Sequence, residues 1–176
     1  MILGLDVSTS ITGYTIFDND KMILNGAWDT RKYKDFFKKA EVVCEGLEHI
    51  YDQYGDQIKA VYIEQSLQSF RSGFSSAKTI STLSRFNGIV SWIIYNKYKI
   101  TPEYIAATSA RKLCGIKIPR GQKAKSVVLK YLLDNQPGFM IEYTRNGNPK
   151  PESYDKADSI VIAKAGVICE QKSLKS

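Results

Sequence analysis

Two short apolar runs, ILGLDV at 2–7 and KAVYIE at 59–64, each carry an acid at or beside their end: Asp6 and Glu64. Runs of this length, rich in β-branched residues, read as strands. A strand interior is no place for an unpaired carboxylate, so both acids belong at the rim of a sheet. The stretch between them narrows the choice further. Residues 12–18 alternate as a second strand, Asn19-Asp20 reads as a turn, and 21–28 as a third strand, which makes a three-stranded antiparallel meander. Residues 33–54 then show helical spacing at Phe36, Phe37, Ala40, Val43, Leu47 and Ile50, with Gly55 as a stop.

After Glu64 the polar stretch QSLQSFRSGFSS reads as a loop. A long helix is predicted over 76–98, then a fifth strand over 102–106 and two shorter helices over 108–114 and 122–133. Gly88 inside the long helix costs helix stability and points to close packing there. Residues 136–153, rich in proline and turn formers, read as a long loop, and a last helix is expected over 154–169. The order is β-β-β-α-β-α-β-α-α-α. A right-handed crossover sets the fourth strand parallel to the first. The expectation is one α/β domain over 1–176, with a mixed five-stranded sheet flanked by helices. In such a sheet Asp6 and Glu64 lie side by side at adjacent strand ends, where ligands collect.

Asp155 and Asp158 are three apart on the last helix and so share a face. Taken singly, each of the four acids has an ordinary structural explanation as a turn cap or a first-turn helix acid. Taken together they repel one another, and a cation relieves that cost. Oxygen-only ligands suit Mg²⁺ or Mn²⁺, and a pair of such ions supports phosphodiester hydrolysis.

Composition closes off other chemistries. His49 is the only histidine, and it lies in an acid-rich stretch, so histidine zinc sites and His-based triads have little to build on. Cys44, Cys114 and Cys169 are far apart and odd in number, with no C-x-x-C spacing. The net charge of +7 favours an anionic partner. No apolar run is long enough for a membrane span, and the start lacks a secretory pattern. An intracellular, cytoplasmic, DNA-associated protein with no membrane partner is therefore expected.

Residues 111–130 hold Arg111, Lys112, Lys117, Arg120, Lys123, Lys125 and Lys130 without one acid, which reads as a phosphate-contacting surface. A solvated helix face is the plainer explanation, but such faces usually intersperse acids. The loop after Glu64 offers Phe70, Arg71 and Phe74 as DNA contacts, beside Gly73. The long helix looks apolar over a wide arc through Phe86, Trp92 and Ile93, a candidate dimer element.

LGLDVSTSITGYTIFD, VYIEQSL and YDKADSIVIA resemble, in order and spacing, the three acidic motifs of the RuvC-like Holliday junction resolvases of the RNase H-like superfamily. The element order agrees with that fold. The resemblance covers nearly the whole chain. It implies that Asp6, Glu64, Asp155 and Asp158 bind two divalent ions, Mg²⁺ or Mn²⁺. It implies a homodimer that cuts opposing strands of branched DNA, above all a four-way junction. AKSVVLKYL resembles the family's lysine-bearing helix. Lys125 would then contact the scissile phosphate, with Lys123 a close competitor. Phe70 or Phe74 would stack on bases at the junction centre. Two departures point to a divergent branch of phage or viral type. Asp6-Val7-Ser8 stands where bacterial members have D-P-G, and the loop before Asp155 is longer, carrying Tyr143, Arg145, Lys150 and Tyr154. Two other functions fit the same residues: an RNase H-fold nuclease acting on RNA or RNA–DNA hybrid, and a catalytically inactive junction-binding module.

Overall fold

The computed structural model describes residues 1–65 and 77–174. Five strands form one sheet: β1 (Ile2–Asp6), β2 (Ile11–Asp18), β3 (Lys21–Asp29), β4 (Ala60–Glu64) and β5 (Glu103–Ile105), in the order β3-β2-β1-β4-β5. β1 runs antiparallel to β2, and β2 to β3, while β4 is parallel to β1 and β5 is parallel to β4. The mixed five-stranded α/β expectation holds in element order and pairing.

Helices cover both faces. α1 (Phe36–Tyr54) and α2 (Ala77–Tyr98) pack on Leu3, Leu5, Ile16, Val61 and Ile63. α3 (Ala107–Leu113), α4 (Ala124–Asn135) and α5 (Glu152–Ser173) cover Ile2, Phe17, Tyr62 and Ile105 on the other. Side chains alternate across a strand. Ile2, Gly4 and Asp6 therefore share the α5 face of β1, and Tyr62 and Glu64 share that face of β4. Both acids are thus aimed at the helix that carries the other two.

Element ends moved for local reasons. α1 begins three residues later than its apolar spacing suggests, because the Asp35 side chain accepts a hydrogen bond from the Lys38 N–H (2.9 Å) and caps it. α5 starts at Glu152, directly after Pro151, and continues to Ser173.

Three readings of α2 are corrected. Phe86 is fully buried and Ile93 nearly so, both within the core against the sheet, and only Trp92 of that set points outward. Gly88 has open space where a side chain would go, so no close packing within the chain requires it. On α1, His49 is exposed beside Gln53. The three cysteines are free and half-buried. No helix among the described residues is long and apolar enough to cross a membrane.

Candidate active site

Parallel pairing of Leu5 with Ile63 brings the ends of β1 and β4 together. α5 crosses beneath them, and its approach depends on missing side chains. A Cβ on Gly4 would overlap the backbone of Ala163, and one on Gly13 would overlap the carbonyl of Asp155. The helix therefore rests directly on the strands. One carboxylate oxygen each from Asp6, Glu64 and Asp158 lies within 4.8 Å of the others. Asp155 falls outside that triplet, one turn back on α5. It joins through Lys125, whose Nζ sits 3.5 Å from Asp155 Oδ1 and 3.3 Å from Asp158 Oδ2.

The cluster is electrostatically loaded. Burial, then Glu64 and Asp158, push the Asp6 carboxyl well above the usual range. Burial, then Asp158, push Glu64 up to about 7. Burial also raises Asp155 and Asp158, against the opposing pull of Lys125. Burial alone would lower Lys125, but Asp158, Asp6 and Asp155 outweigh it and hold the ammonium charged. The positive field of Arg111, whose Nε donates to the Ala107 carbonyl (2.9 Å), reaches Glu64 and Asp158. One lysine does not balance four acids, and the donor set is all oxygen, so the cluster fits a hard divalent cation.

A buried polar relay fixes α5 in register. Asn25 Nδ2 donates to Thr15 Oγ1 (2.8 Å) and to the Lys156 carbonyl (3.2 Å). Thr15 Oγ1 meets Ser159 Oγ at 2.8 Å, and Ser159 Oγ donates to the Lys156 carbonyl at 2.8 Å. Since Asn25 supplies Thr15 with a proton, the Thr15 hydroxyl donates onward to Ser159. These bonds fix the Lys156 carbonyl, between the two α5 acids, and Ser159, next to Asp158, and so hold the turn that presents them. Gly13, Thr15, Asn25 and Ser159 were missed in the sequence. The available signal was the pair of small residues, Gly13 and Thr15, on one face of an otherwise bulky strand.

The turn after Asp6 is closed by Ser8. Its Oγ accepts from the Ser10 and Ile11 N–H groups (both 3.1 Å) and donates to the Ile11 carbonyl (2.9 Å). Lys123 stands at the start of α4 and lines a groove of about 510 Å³ on that helix's outer side, facing away from the ion pairs that Lys125 makes. Arg111, Lys112 and Lys117 border a second groove of about 240 Å³. Lys112, Lys117, Arg120, Lys123 and Lys130 are exposed, and Arg111 is half-buried. Phe70, Arg71, Gly73 and Phe74 lie outside the described residues.

No protein-family model and no curated protein matches this chain. Solved structures do. The chain superposes on T. thermophilus RuvC in complex with Holliday junction substrate at TM-score 0.67 and 12% identity, covering 97% of this chain and 94% of that one. The fold is that of RuvC. A second Thermus thermophilus RuvC structure matches at TM-score 0.62 and 14% identity, over 98% of this chain and 96% of that one. The yeast mitochondrial Holliday junction resolvase Ydc2 matches at TM-score 0.62 and 16% identity, over 99% of this chain and 80% of that one. The RuvC likeness thus extends over both sheet faces and over α5, the helix that brings Asp155 and Asp158 to the strand ends.

Proposed function

We propose that this chain is a structure-selective DNA endonuclease that resolves four-way junctions and other branched DNA with two divalent ions, Mg²⁺ or Mn²⁺. The observation that carries the reading is the meeting of Asp6, Glu64 and Asp158 oxygens within 4.8 Å, with Lys125 against Asp155 and Asp158, on a RuvC fold. Asp6, Glu64 and Asp158 hold the ions, and Asp155 completes the set from the adjoining turn. The ions, when bound, supply activation of water and neutralisation of charge at the phosphate. The chain's own residues do the rest. The carboxylates are preset by strand pairing and the Asn25 relay, so little reorganisation is needed on binding. Lys125 exchanges its carboxylate partners for the scissile phosphate and stabilises the charge that builds there. Arg111, Lys112, Lys117, Arg120 and Lys123 hold the flanking backbone. Phe70, Arg71 and Phe74 serve the junction centre.

A two-fold dimer supplies the second cut. Its proposed surface is the outer side of α2 with the start of α1. There Phe37 and Trp92 are each 64% exposed, and Phe36, Arg85, Gly88 and Ile89 complete an apolar groove of about 370 Å³. The open space over Gly88 lets a partner helix come close.

The deciding assay is cleavage of labelled four-way DNA junction, linear duplex and RNA–DNA hybrid with Mg²⁺. Paired nicks in the junction support the proposal. Preference for the hybrid would replace it with an RNase H activity, and tight junction binding without cleavage would replace it with a binding module.

A further inference from the structure

Arg111 and Lys112 sit on α3, the helix that directly follows β5, and so mark the β5 side of the carboxylates. A second group lies on the β3 side. Residues 30–39, TRKYKDFFKK, hold Arg31, Lys32, Lys34, Lys38 and Lys39 against Asp35 alone. They leave the sheet at its catalytic rim, because Asp29 ends β3 opposite Ile11 while Asp6 pairs with Gly13. With strands about 4.8 Å apart, β3 stands roughly 10 Å from Asp6, across β2.

The segment is built in. Thr30 is fully buried. Its N–H donates to the Ser10 carbonyl (2.9 Å), and its hydroxyl lies within hydrogen-bond distance of the Thr9 and Ser10 carbonyls (2.9 and 3.0 Å). Lys39 Nζ donates to the Thr9 carbonyl at 2.6 Å. These bonds tie the segment to the turn that follows Asp6. Arg31 forks onto Asp29, and Lys38 pairs with Glu41. Among the described residues Lys32 and Lys34 make no ion pair. Both are exposed; Lys32 leans on the Tyr33 ring at 4.9 Å and adds its field to that of Arg31 at Asp29. Arg31 is held chiefly by Asp29 and beyond it feels Glu152 and then Asp155, so the second cation group and the α5 acids share one electrostatic neighbourhood.

We propose that Lys32 and Lys34 form a second phosphate-contacting wall, which seats the DNA backbone on the β3 side of the carboxylates while Arg111 and its neighbours seat it on the β5 side. This rests on the branched-DNA reading above. Two unpaired cations on a rigid segment match the backbone of a duplex arm in charge, and a preset segment binds without an ordering cost. The carboxylates, which repel DNA on their own, then lie in a trough between two positive walls.

The test is junction binding in Ca²⁺, as a function of salt, with the full chain. Lys32→Glu/Lys34→Glu is compared with Lys21→Glu/Lys59→Glu, which makes the same change in net charge at the opposite end of the sheet. The expected result is at least a roughly tenfold loss for the first variant, with a log–log salt slope shallower by about 2. The control keeps the wild-type slope. Equal losses and equal slopes in the two variants overturn the second wall and leave the junction reading standing. Absence of branched-DNA binding by the wild-type chain overturns both.

Discussion

The α-carbon of Gly13 lies against the carbonyl oxygen of Asp155, with no room for a methyl group between strand and helix. The obstacle is backbone, not a flexible side chain, so Gly13→Ala has to push α5 off β2. The expected cost is about 1–3 kcal/mol of stability, as for other overpacked sites. Weaker Mn²⁺ binding should accompany it, since the displaced helix carries two of the acids. Chemical denaturation and calorimetric titration of Mn²⁺ measure the two effects. A stable variant with unchanged metal affinity would show that the contact does not set the site.

Asp158 has two neighbours in the triplet and an ion pair to Lys125. Asp158→Asn keeps the shape and removes a charge. Cleavage should fall below detection while junction affinity stays near wild type, because phosphate contacts carry most of that affinity. Gel-shift and cleavage assays on one substrate separate the two. Full activity in this variant would remove Asp158 from the proposed chemistry.

Lys125 pairs with Asp155 and Asp158, so on the proposed mechanism it competes with a metal ion for them and aids the reaction only once DNA is present. Lys125→Ala should therefore slow single-turnover cleavage by roughly 10²–10³, the loss typical of a deleted charge-stabilising donor. Mn²⁺ should bind no more weakly than to the wild type. Loss of metal affinity in proportion to rate would instead make Lys125 a structural support.

The metal-free cluster makes stability depend on pH. Burial, then Asp158, raise Glu64 from 4.5 to about 7, and burial, then Glu64, raise Asp6. The folded chain then holds protons that the unfolded chain has released. As far as these two groups are concerned, stability is highest below pH 3.8, the ordinary Asp6 value. The Glu64 part is lost as pH rises from 4.5 to about 7, and the Asp6 part as pH rises from 3.8 through its raised folded value. Each tenfold difference in proton affinity between the folded and unfolded chain is worth ~1.4 kcal/mol, or about 3–6 °C in Tm for a chain of this size. Melting curves in EDTA should fall over that window, and excess Mg²⁺ or Mn²⁺ should restore the loss. A Tm that does not respond to the ion at pH 7.5 would count against a metal site.

Trp92 and Phe37 are the outward aromatic pair beside open Gly88. Trp92→Glu should convert a dimer to monomer without unfolding it, since the side chain is 64% exposed. Sedimentation velocity reads the outcome. A dimer that survives the change locates the interface elsewhere.

Much of this fold could be read from residues alone. Alternation in ITGYTIFD and the short apolar runs ILGLDV and KAVYIE, with a crossover helix between, lead to the sheet order and to adjacent rims for Asp6 and Glu64. The spacing of Asp155 and Asp158 does the same for the helix face. Three kinds of detail stayed hidden. The start of α1 depends on one capping bond from Asp35, which outweighs the apolar spacing. Phe86 and Ile93 face the core because α2 is covered by both the sheet and α1, a packing that an isolated helix does not announce. The Asn25–Thr15–Ser159 relay joins residues up to 144 positions apart, and no local pattern marks such partners.

The docking of α5 on β1, β2 and β4 also bears on when the acidic cluster comes into being. The acids come from positions 6, 64, 155 and 158, so the cluster is a long-range assembly that does not exist until α5 docks. The same docking buries Ala157, Ile160, Val161 and Ala163 against the sheet. One packing event therefore closes the core and arms the cluster, and on the proposed function a chain with α5 undocked would be harmless to DNA.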